Sequence, residues 1–260
     1  FNFTMYIREM QHPPVINFSD TYLSSIYESI YLDVNSTDKD EGDEGDPGVN
    51  ITYSLINLTA GGDFLSINET TGIIDFTFDI TNRGAWIYNL SAIDSTNTVE
   101  SMIWTLKVYD VPTFISPLQG SLYYMVENQS EIILVQANHT LGDDLNYSIV
   151  IDGETRATAY GTGNGSAFVS LNFTPSFSDE TTCFGLREMI LNVSNPKLST
   201  FISVNMDVNH TNAPLYYSGN DMPDISGGTP QYPTTLTSRF VDSDASDGCN
   251  NQTIGFIVNL

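Results

Sequence analysis

The chain has 260 residues, of which 32 are acidic and only 8 are Lys or Arg, so its formal net charge is −24. Such a chain repels nucleic-acid phosphates, which excludes nucleic acid as a partner, and it repels anionic lipid head groups as well. The length predicts about two domains. Hydrophobic residues make up 40% of the sequence, which indicates a folded chain and not a disordered one. Three explanations of the acidity stay open: attraction of divalent cations, solubility of a crowded surface, and adaptation to high salt.

Short segments that alternate apolar and polar residues recur along the chain and predict β-strands. The clearest are 51–55, 86–90 and 103–108, which are rich in β-branched and aromatic residues. Clusters of Gly, Asn, Asp and Pro separate the strands, and no long stretch carries a helical stripe. The pattern predicts an all-β chain of tandem antiparallel β-sandwiches.

One sequence pattern, an alternating strand followed by a polar step, a proline and an apolar residue, occurs three times. It occupies 1–16, 101–115 and 201–216, so it recurs about every 100 residues, the length of one sandwich domain. A proline at each junction ends strand pairing and stiffens the linker, because it lacks an N–H group and has a fixed φ. The repeat therefore predicts a rod of sandwiches.

The same spacing predicts the domain boundaries. Residues 1–15 are expected to be the last strand of a preceding repeat, and 16–111 and 112–212 to be complete sandwiches. Residues 213–260 are expected to begin a further repeat that is incomplete here. No signal peptide or membrane-length apolar run is present, so a leader or anchor is expected outside this segment and no direct membrane insertion within it.

N-glycosylation sequons are the strongest signal of the compartment. Fifteen of the 23 asparagines begin Asn-x-Ser/Thr, whereas the Ser and Thr content predicts only about five by chance. Each acceptor marks a surface position in a secreted protein, because a glycan does not fit in a core. An extracellular, cell-surface glycoprotein is therefore expected. The predicted acceptors are Asn2, Asn17, Asn35, Asn50, Asn57, Asn68, Asn89, Asn128, Asn138, Asn146, Asn164, Asn172, Asn192, Asn209 and Asn251.

The two cysteines, Cys183 and Cys249, form no CxxC motif and no Cys/His cluster with zinc spacing. In an oxidising compartment they are predicted to form a disulfide that locks the second repeat to the third. The alternative is that one of them pairs with a cysteine outside this segment.

The first full repeat resembles the cadherin-like and dystroglycan-type repeats of extracellular proteins. The matching segments are the acidic loop and strand 38–55, the hairpin 64–74 and the strand end 90–94. Further segments, at 126–128, 144–149, 171–177 and 207–214, resemble the starts, penultimate regions and linkers of such repeats. The resemblance implies an immunoglobulin/cadherin-like fold and an adhesive or structural role at a cell surface.

A calcium site is predicted in the first repeat. Asp38, Asp40 and Asp94, extended by Glu28 and Asp110, supply carboxylates near a Gly-rich turn, and calcium takes six to eight oxygen ligands. Densely packed carboxylates repel each other unless a cation binds. The alternative is a solvated acidic loop tip.

A second calcium set is predicted across the junction to the third segment. It comprises Asp207, Asp242 and Asp244. In both places calcium would stiffen the rod by bridging carboxylates of neighbouring domains.

Catalytic motifs are missing from the sequence. The three histidines lie in no His-Glu-x-x-His motif, no Gly-x-Ser-x-Gly elbow is present, and the glycine-rich segment 161–165 lacks the lysine of a phosphate loop. The chain is therefore predicted not to be an enzyme. It is expected to be a structural glycoprotein of an archaeal-type surface layer or extracellular filament that assembles with copies of itself and other surface glycoproteins. The alternative is a calcium-dependent adhesion or glycan-binding module, such as a protist surface or ciliary-hair protein.

Overall fold

The structure, a computed structural model, describes residues 11–40, 42–43, 45–176, 186–209, 216–217 and 240–241. Its elements are β-strands and one short 3₁₀ turn at Ile80–Asn82, which Asp79 caps. Within the described ranges no helix has the length and apolarity needed to cross a bilayer. The predicted all-β class is confirmed.

The first sandwich is built from nine strands. They are β1 (Val15–Asn17), β2 (Thr21–Ser25), β3 (Ser29–Asp33), β4 (Asn35–Asp38), β5 (Gly42–Asp43), β6 (Thr52–Asn57), β7 (Ile73–Thr77), β8 (Gly84–Ile93) and β9 (Val99–Tyr109). One layer is the sheet β2-β9-β8-β6, in which β2 lies parallel to β9 and the other pairs are antiparallel. The other layer consists of β3-β7 and β1-β4-β5.

The alternation along β9 explains why these layers pack together. Trp104, Leu106 and Val108 are fully buried between the layers, whereas Ile103 and Lys107 point to the outer face. Successive strand residues point to opposite faces, so one row fills the core. Each large buried side chain contributes about 1.5–3 kcal/mol to folding.

The second sandwich has eight strands and follows the same two-layer plan, with a fifth strand added to its larger sheet. Its strands are β10 (Thr113–Ser116), β11 (Leu122–Val126), β12 (Glu131–Asn138), β13 (Asp144–Ile151), β14 (Glu154–Thr162), β15 (Val169–Phe173), β16 (Arg187–Ser194) and β17 (Ser199–Asn209). The sheet β11-β17-β16-β13-β14 packs on the sheet β10-β12-β15, and β11 again lies parallel to the last strand. The added strand is β14, at the edge beside β13.

Equivalent strands recur at nearly constant spacing. Strand β9 covers 99–109 and β17 covers 199–209, an offset of 100 residues. Strand β1 begins at Val15, one residue before the predicted start of the first full repeat. In the third segment, a two-residue strand β18 (Tyr216–Tyr217) pairs with β19 (Phe240–Val241).

Both sandwiches make the same left-handed turn after their parallel strand. Tyr27 has φ 66° and Asn128 has φ 59°, and their backbone N–H groups donate to Phe78 O and Pro175 O. Asn tolerates this conformation, whereas a bulky residue such as Tyr is strained there. The backbone at Tyr27 is therefore strained, while its side chain is exposed.

We expect Tyr27→Gly to stabilise the first sandwich by about 1 kcal/mol, because glycine removes the strain at positive φ. Urea unfolding followed by tryptophan fluorescence measures this, since both tryptophans, Trp86 and Trp104, lie in the first sandwich. Tyr31→Gly in β3 is the control, because Tyr31 is also exposed but lies in ordinary strand geometry. That control should destabilise, and destabilisation by both variants would contradict the prediction.

Candidate functional site: the linker docks

Each sandwich receives the segment that precedes it in a dock made by two loops. The docked residues are His12, before β1, and Asp110, between β9 and β10. The dock of the first sandwich is formed by the loop after β4 and the β8–β9 hairpin, and that of the second by the loop after β12 and the β16–β17 hairpin. The prolines that follow, Pro14 and Pro112, are both buried.

The second dock holds Asp110 by its side chain and its backbone. The Asp110 carboxylate accepts from Thr140 N at 3.0 Å and from Thr140 Oγ1 at 2.6 Å. The Asp110 carbonyl accepts from Asn195 Nδ2 at 2.8 Å. Asn195 is itself buried, and its Oδ1 accepts from the backbone N–H groups of Lys197 and Leu198, which fixes the hairpin turn.

The first dock holds His12 through the corresponding two loops, but here the linker N–H donates and the loop carboxylate accepts. The Asp40 carboxylate accepts from His12 N at 2.6 Å and lies 3.2 Å from His12 Nδ1. The carbonyl of His12 accepts from Thr98 Oγ1 at 3.3 Å. Asp94 Oδ1 accepts from the backbone N–H groups of Thr96 and Thr98 and closes the hairpin, as Asn195 does in the second sandwich.

Two lysines bridge the sandwiches reciprocally. Lys107, in β9 of the first, donates to Asp143 Oδ2 of the second at 2.8 Å. Lys197, in the hairpin of the second, donates to both oxygens of Glu28 in the first at 3.3 and 3.4 Å. The chain has only three lysines, so two of the three are placed at this junction.

An aromatic pair supports the junction from inside. Tyr109 is buried, stacks on His139 with ring centroids 5.9 Å apart, and donates its hydroxyl to Asp143 Oδ2 at 3.0 Å. Burial, and then the bond to Asp143, raises the pKa of Tyr109 to about 12. His139 Nε2 carries the proton, because its neighbour at 2.9 Å is the carbonyl of Asp143, which only accepts.

Only glycine fits at position 163, beside the loop that forms the second dock. A Cβ there would lie 2.3 Å from Asp143 O and 2.6 Å from His139 Cδ2. The Gly163 carbonyl accepts from His139 N, and its N–H donates to Asp143 O. The glycine-rich segment 161–165 therefore permits close packing beneath the junction.

Leu198 adds an apolar contact to these polar ones. It belongs to the β16–β17 hairpin but packs against the core cluster of the first sandwich. The junction thus combines two ion pairs, hydrogen bonds to the linker backbone and buried apolar area.

The residues predicted to bind calcium lie at two ends of the first sandwich. Asp38, Asp40 and Asp94 lie at the His12 end, where Asp38 Oδ1 accepts from Asp40 N at 2.7 Å. The structure does not bring Glu28 and Asp110 to that end, because β9 runs the length of the sandwich between Asp94 and Asp110. Among the described residues, no group of three or more Asp, Glu, His or Cys side chains is arranged to hold a metal ion. Calcium binding stays a prediction.

The remaining predicted site residues are distributed as follows. Asp207 lies on the outer face of β17 opposite Tyr124, whereas Asp242, Asp244, Cys183 and Cys249 fall outside the described residues. Asn2 and Asn251 also fall outside them, and each of the other thirteen sequon asparagines is exposed or half-buried. The side-chain oxygen of Asn68 accepts from the backbone N–H groups of Thr70 and Thr71. That of Asn164 accepts from the backbone N–H group of Ser166. Asn57 Oδ1 likewise accepts from Thr59 N, and its Nδ2 in addition donates to Asp63.

Acid should loosen the junction. The hydrogen bond from Lys107 lowers the pKa of Asp143 below 3.8, and the bond from Tyr109 adds to this. Burial raises the pKa of Glu28, but bonds from Ser24, Ser25 and Lys197 outweigh it and leave the pKa below 4.5. A carboxylate with a lowered folded-state pKa stabilises the fold above its unfolded pKa, and this stability is lost as the pH falls.

We therefore expect a constant junction from neutral pH to about pH 5 and a wider spread of inter-sandwich angles below about pH 4. Small-angle X-ray scattering of the full chain across this range measures the change. Asp143→Asn removes one titrating group, so its scattering should depend less on pH. Equal pH dependence of both proteins would contradict the assignment to Asp143.

No family model matches the sequence. No curated protein matches it either. Among solved structures, the chain is similar to an I-band fragment of titin at 14% identity, over 77% of this chain and 67% of that one, with a TM-score of 0.47. It is similar to Clostridium thermocellum CbhA fibronectin(III)-like modules at 17% identity, over 76% of this chain and 94% of that one, with a TM-score of 0.40. It is also similar to Drosophila N-cadherin at 13% identity, over 77% of this chain and 69% of that one, with a TM-score of 0.30.

Proposed function

We propose that this chain is a stiff spacer in an extracellular structural glycoprotein, one that forms part of a cell-surface layer or filament through contacts with its own copies. The observation that carries the proposal is the junction. Corresponding loops of the two sandwiches hold the preceding linker, at His12 and at Asp110, so one inter-domain geometry can recur along a row of sandwiches. Regular spacing of this kind suits a load-bearing or tiling element.

The charge distribution supports the same role. In a chain of net charge −24, neighbouring sandwiches repel each other unless positive charge lies between them. Lys107 and Lys197 lie there, each against a carboxylate of the other sandwich. An ammonium group at each carboxylate supplies charge that calcium would otherwise supply, so we propose that this junction is stiff without calcium.

The sequons supply the extracellular part of the proposal. The described acceptors lie at exposed or half-buried positions, as covalent glycans require. Calcium at Asp38, Asp40 and Asp94 is proposed as an addition to the first dock, since those carboxylates lie close to its linker.

The test compares two lysine variants of the full chain with the wild type. The double variant Lys107→Met/Lys197→Met should widen the range of inter-sandwich angles in small-angle X-ray scattering. It should also disrupt ordered arrays in electron microscopy. Lys39→Met removes an exposed lysine away from the junction between the two sandwiches and should leave their angle unchanged. A chelator should leave the wild-type junction angle unchanged.

Other outcomes would overturn the proposal. If the double variant and Lys39→Met give the same scattering, the lysine pairs do not hold the junction. If the native glycoprotein forms no arrays and instead binds a foreign partner through one loop end, the adhesion alternative replaces the structural role.

A further inference from the structure

Large apolar side chains are exposed on the outer faces of both sandwiches, directly opposite sequon asparagines. Where exposed apolar side chains form a contiguous patch, they mark a surface that binds another group. On the sheet β2-β9-β8-β6, Asn89 in β8 is the register partner of Ile56 in β6 on one side and of Ile103 in β9 on the other. The two isoleucines are 54% and 56% exposed. Asn89 therefore lies in the middle of an apolar row.

The second sandwich repeats the arrangement on its five-stranded sheet. Asn192 in β16 is the register partner of Phe201 in β17, and Asn146 in β13 is the partner of Tyr160 in β14. Phe201 is 67% exposed and Tyr160 is 78% exposed. Directly opposite residues in an antiparallel pair share a face, with Cβ atoms about 5 Å apart.

The opposite layer of the second sandwich gives another case. Asn172 in β15 is the register partner of Ile132 in β12, which is 61% exposed. Asn57 offers the contrast, because it lies opposite the fully buried Tyr88 and its nitrogen is bound to Asp63. The coincidence thus concerns these four outward-facing sequon asparagines, whereas others lie opposite polar residues, as Asn35 does opposite Asn17 and Asn138 opposite Thr113.

We propose that glycans attached to Asn89, Asn146, Asn172 and Asn192 lie across the sheet faces and cover these apolar side chains. The first sugar is joined at a point about one strand spacing from the apolar group, so its ring has the reach to contact it. The C–H faces of sugar rings pack well on aliphatic and aromatic side chains. The glycans thereby keep the apolar outer faces of neighbouring molecules apart, a role that charged side chains would otherwise have.

The attachment needs a sugar donor that is activated as a phosphate ester at its anomeric carbon. Asn Nδ2 forms a bond to that carbon and loses one proton. The bond from the anomeric carbon to the phosphate oxygen breaks, and the phosphate leaves with its electron pair. The inference rests on the extracellular glycoprotein role proposed above, but it adds which sites matter and why.

The first measurement is site occupancy in the native glycoprotein by mass spectrometry of glycopeptides. We expect sugar on Asn89, Asn146, Asn172 and Asn192. Sugar on loop sequons such as Asn50 but not on these four would overturn the shielding and leave the extracellular role intact. A native protein without sugar on any sequon would overturn both.

The second measurement compares Asn89→Gln with Asn50→Gln in the full glycosylated chain. Asn50 is exposed and precedes β6, so its variant removes one glycan without uncovering an apolar row. We expect Asn89→Gln to raise the fluorescence of Nile red, an uncharged probe of apolar surface, about two-fold and to promote self-association in sedimentation. Asn50→Gln should do neither.

A rescue variant separates shielding from misfolding. Ile56→Thr with Ile103→Thr, added to Asn89→Gln, should return both dye binding and sedimentation to wild-type values, because the uncovered row is then polar. If Asn89→Gln behaves like Asn50→Gln, or if the threonines do not reverse its effect, the proposal is overturned.

Discussion

Alanine at position 72 should destabilise the first sandwich by about 3 kcal/mol, because two penalties add there. Gly72 has φ +66°, where any residue with a Cβ is strained. A Cβ would also lie 2.4 Å from the carbonyl oxygen of Val34, which is backbone and has no rotamer to escape into. Val34 N in turn donates to Gly72 O, so the two segments cannot separate without losing that bond.

The strain and the collision can be measured separately. Gly48 has φ +97° with nothing within 4 Å of the Cβ position, so Gly48→Ala tests strain alone and should lose only about 1 kcal/mol. Urea unfolding of both variants, followed by tryptophan fluorescence, reports on the first sandwich only. Equal losses in the two variants would show that Val34 yields and that the collision contributes nothing.

Local patterns in the sequence were sufficient for the architecture. The alternation at 51–55, 86–90 and 103–108 predicted strands that the structure contains as β6, β8 and β9. Alternation has a period of two in every strand and needs no knowledge of distant residues. The spacing of the proline-terminated segments likewise agrees with the recurrence of β9 at β17.

The junction could not be predicted in this way. Which end of a sandwich a carboxylate faces depends on strand length and order, so grouping Glu28 and Asp110 with Asp94 ignored the eleven residues of β9. The one signal available was the scarcity of lysine, since a rare cation beside a predicted linker, as at Lys107, is worth explaining. The hairpin role of Asp94 was readable from Asp-x-Thr, a common turn motif.

Asn195 bonds both to the turn of its own hairpin and to the linker at Asp110. Of the junction residues, its substitution should change the inter-sandwich angle most. Asn195→Ala leaves Lys197 N, Leu198 N and Asp110 O without their partner, at a cost of about 2–4 kcal/mol to the second sandwich. Hydrogen exchange should show lost protection at Lys197 and Leu198. Scattering should show a wider range of inter-sandwich angles.

Asn195→Asp separates the two functions of this side chain. The carboxylate still accepts from Lys197 and Leu198, so the turn amides should stay protected. It has no donor for the Asp110 carbonyl and places a negative charge against it, so the junction should still loosen. Asn205→Asp makes the same chemical change on β17 away from the dock and should leave the angle unchanged. If Asn195→Asp keeps the wild-type angle, the bond to the linker is dispensable, and the lysine pairs and Leu198 fix the junction by themselves.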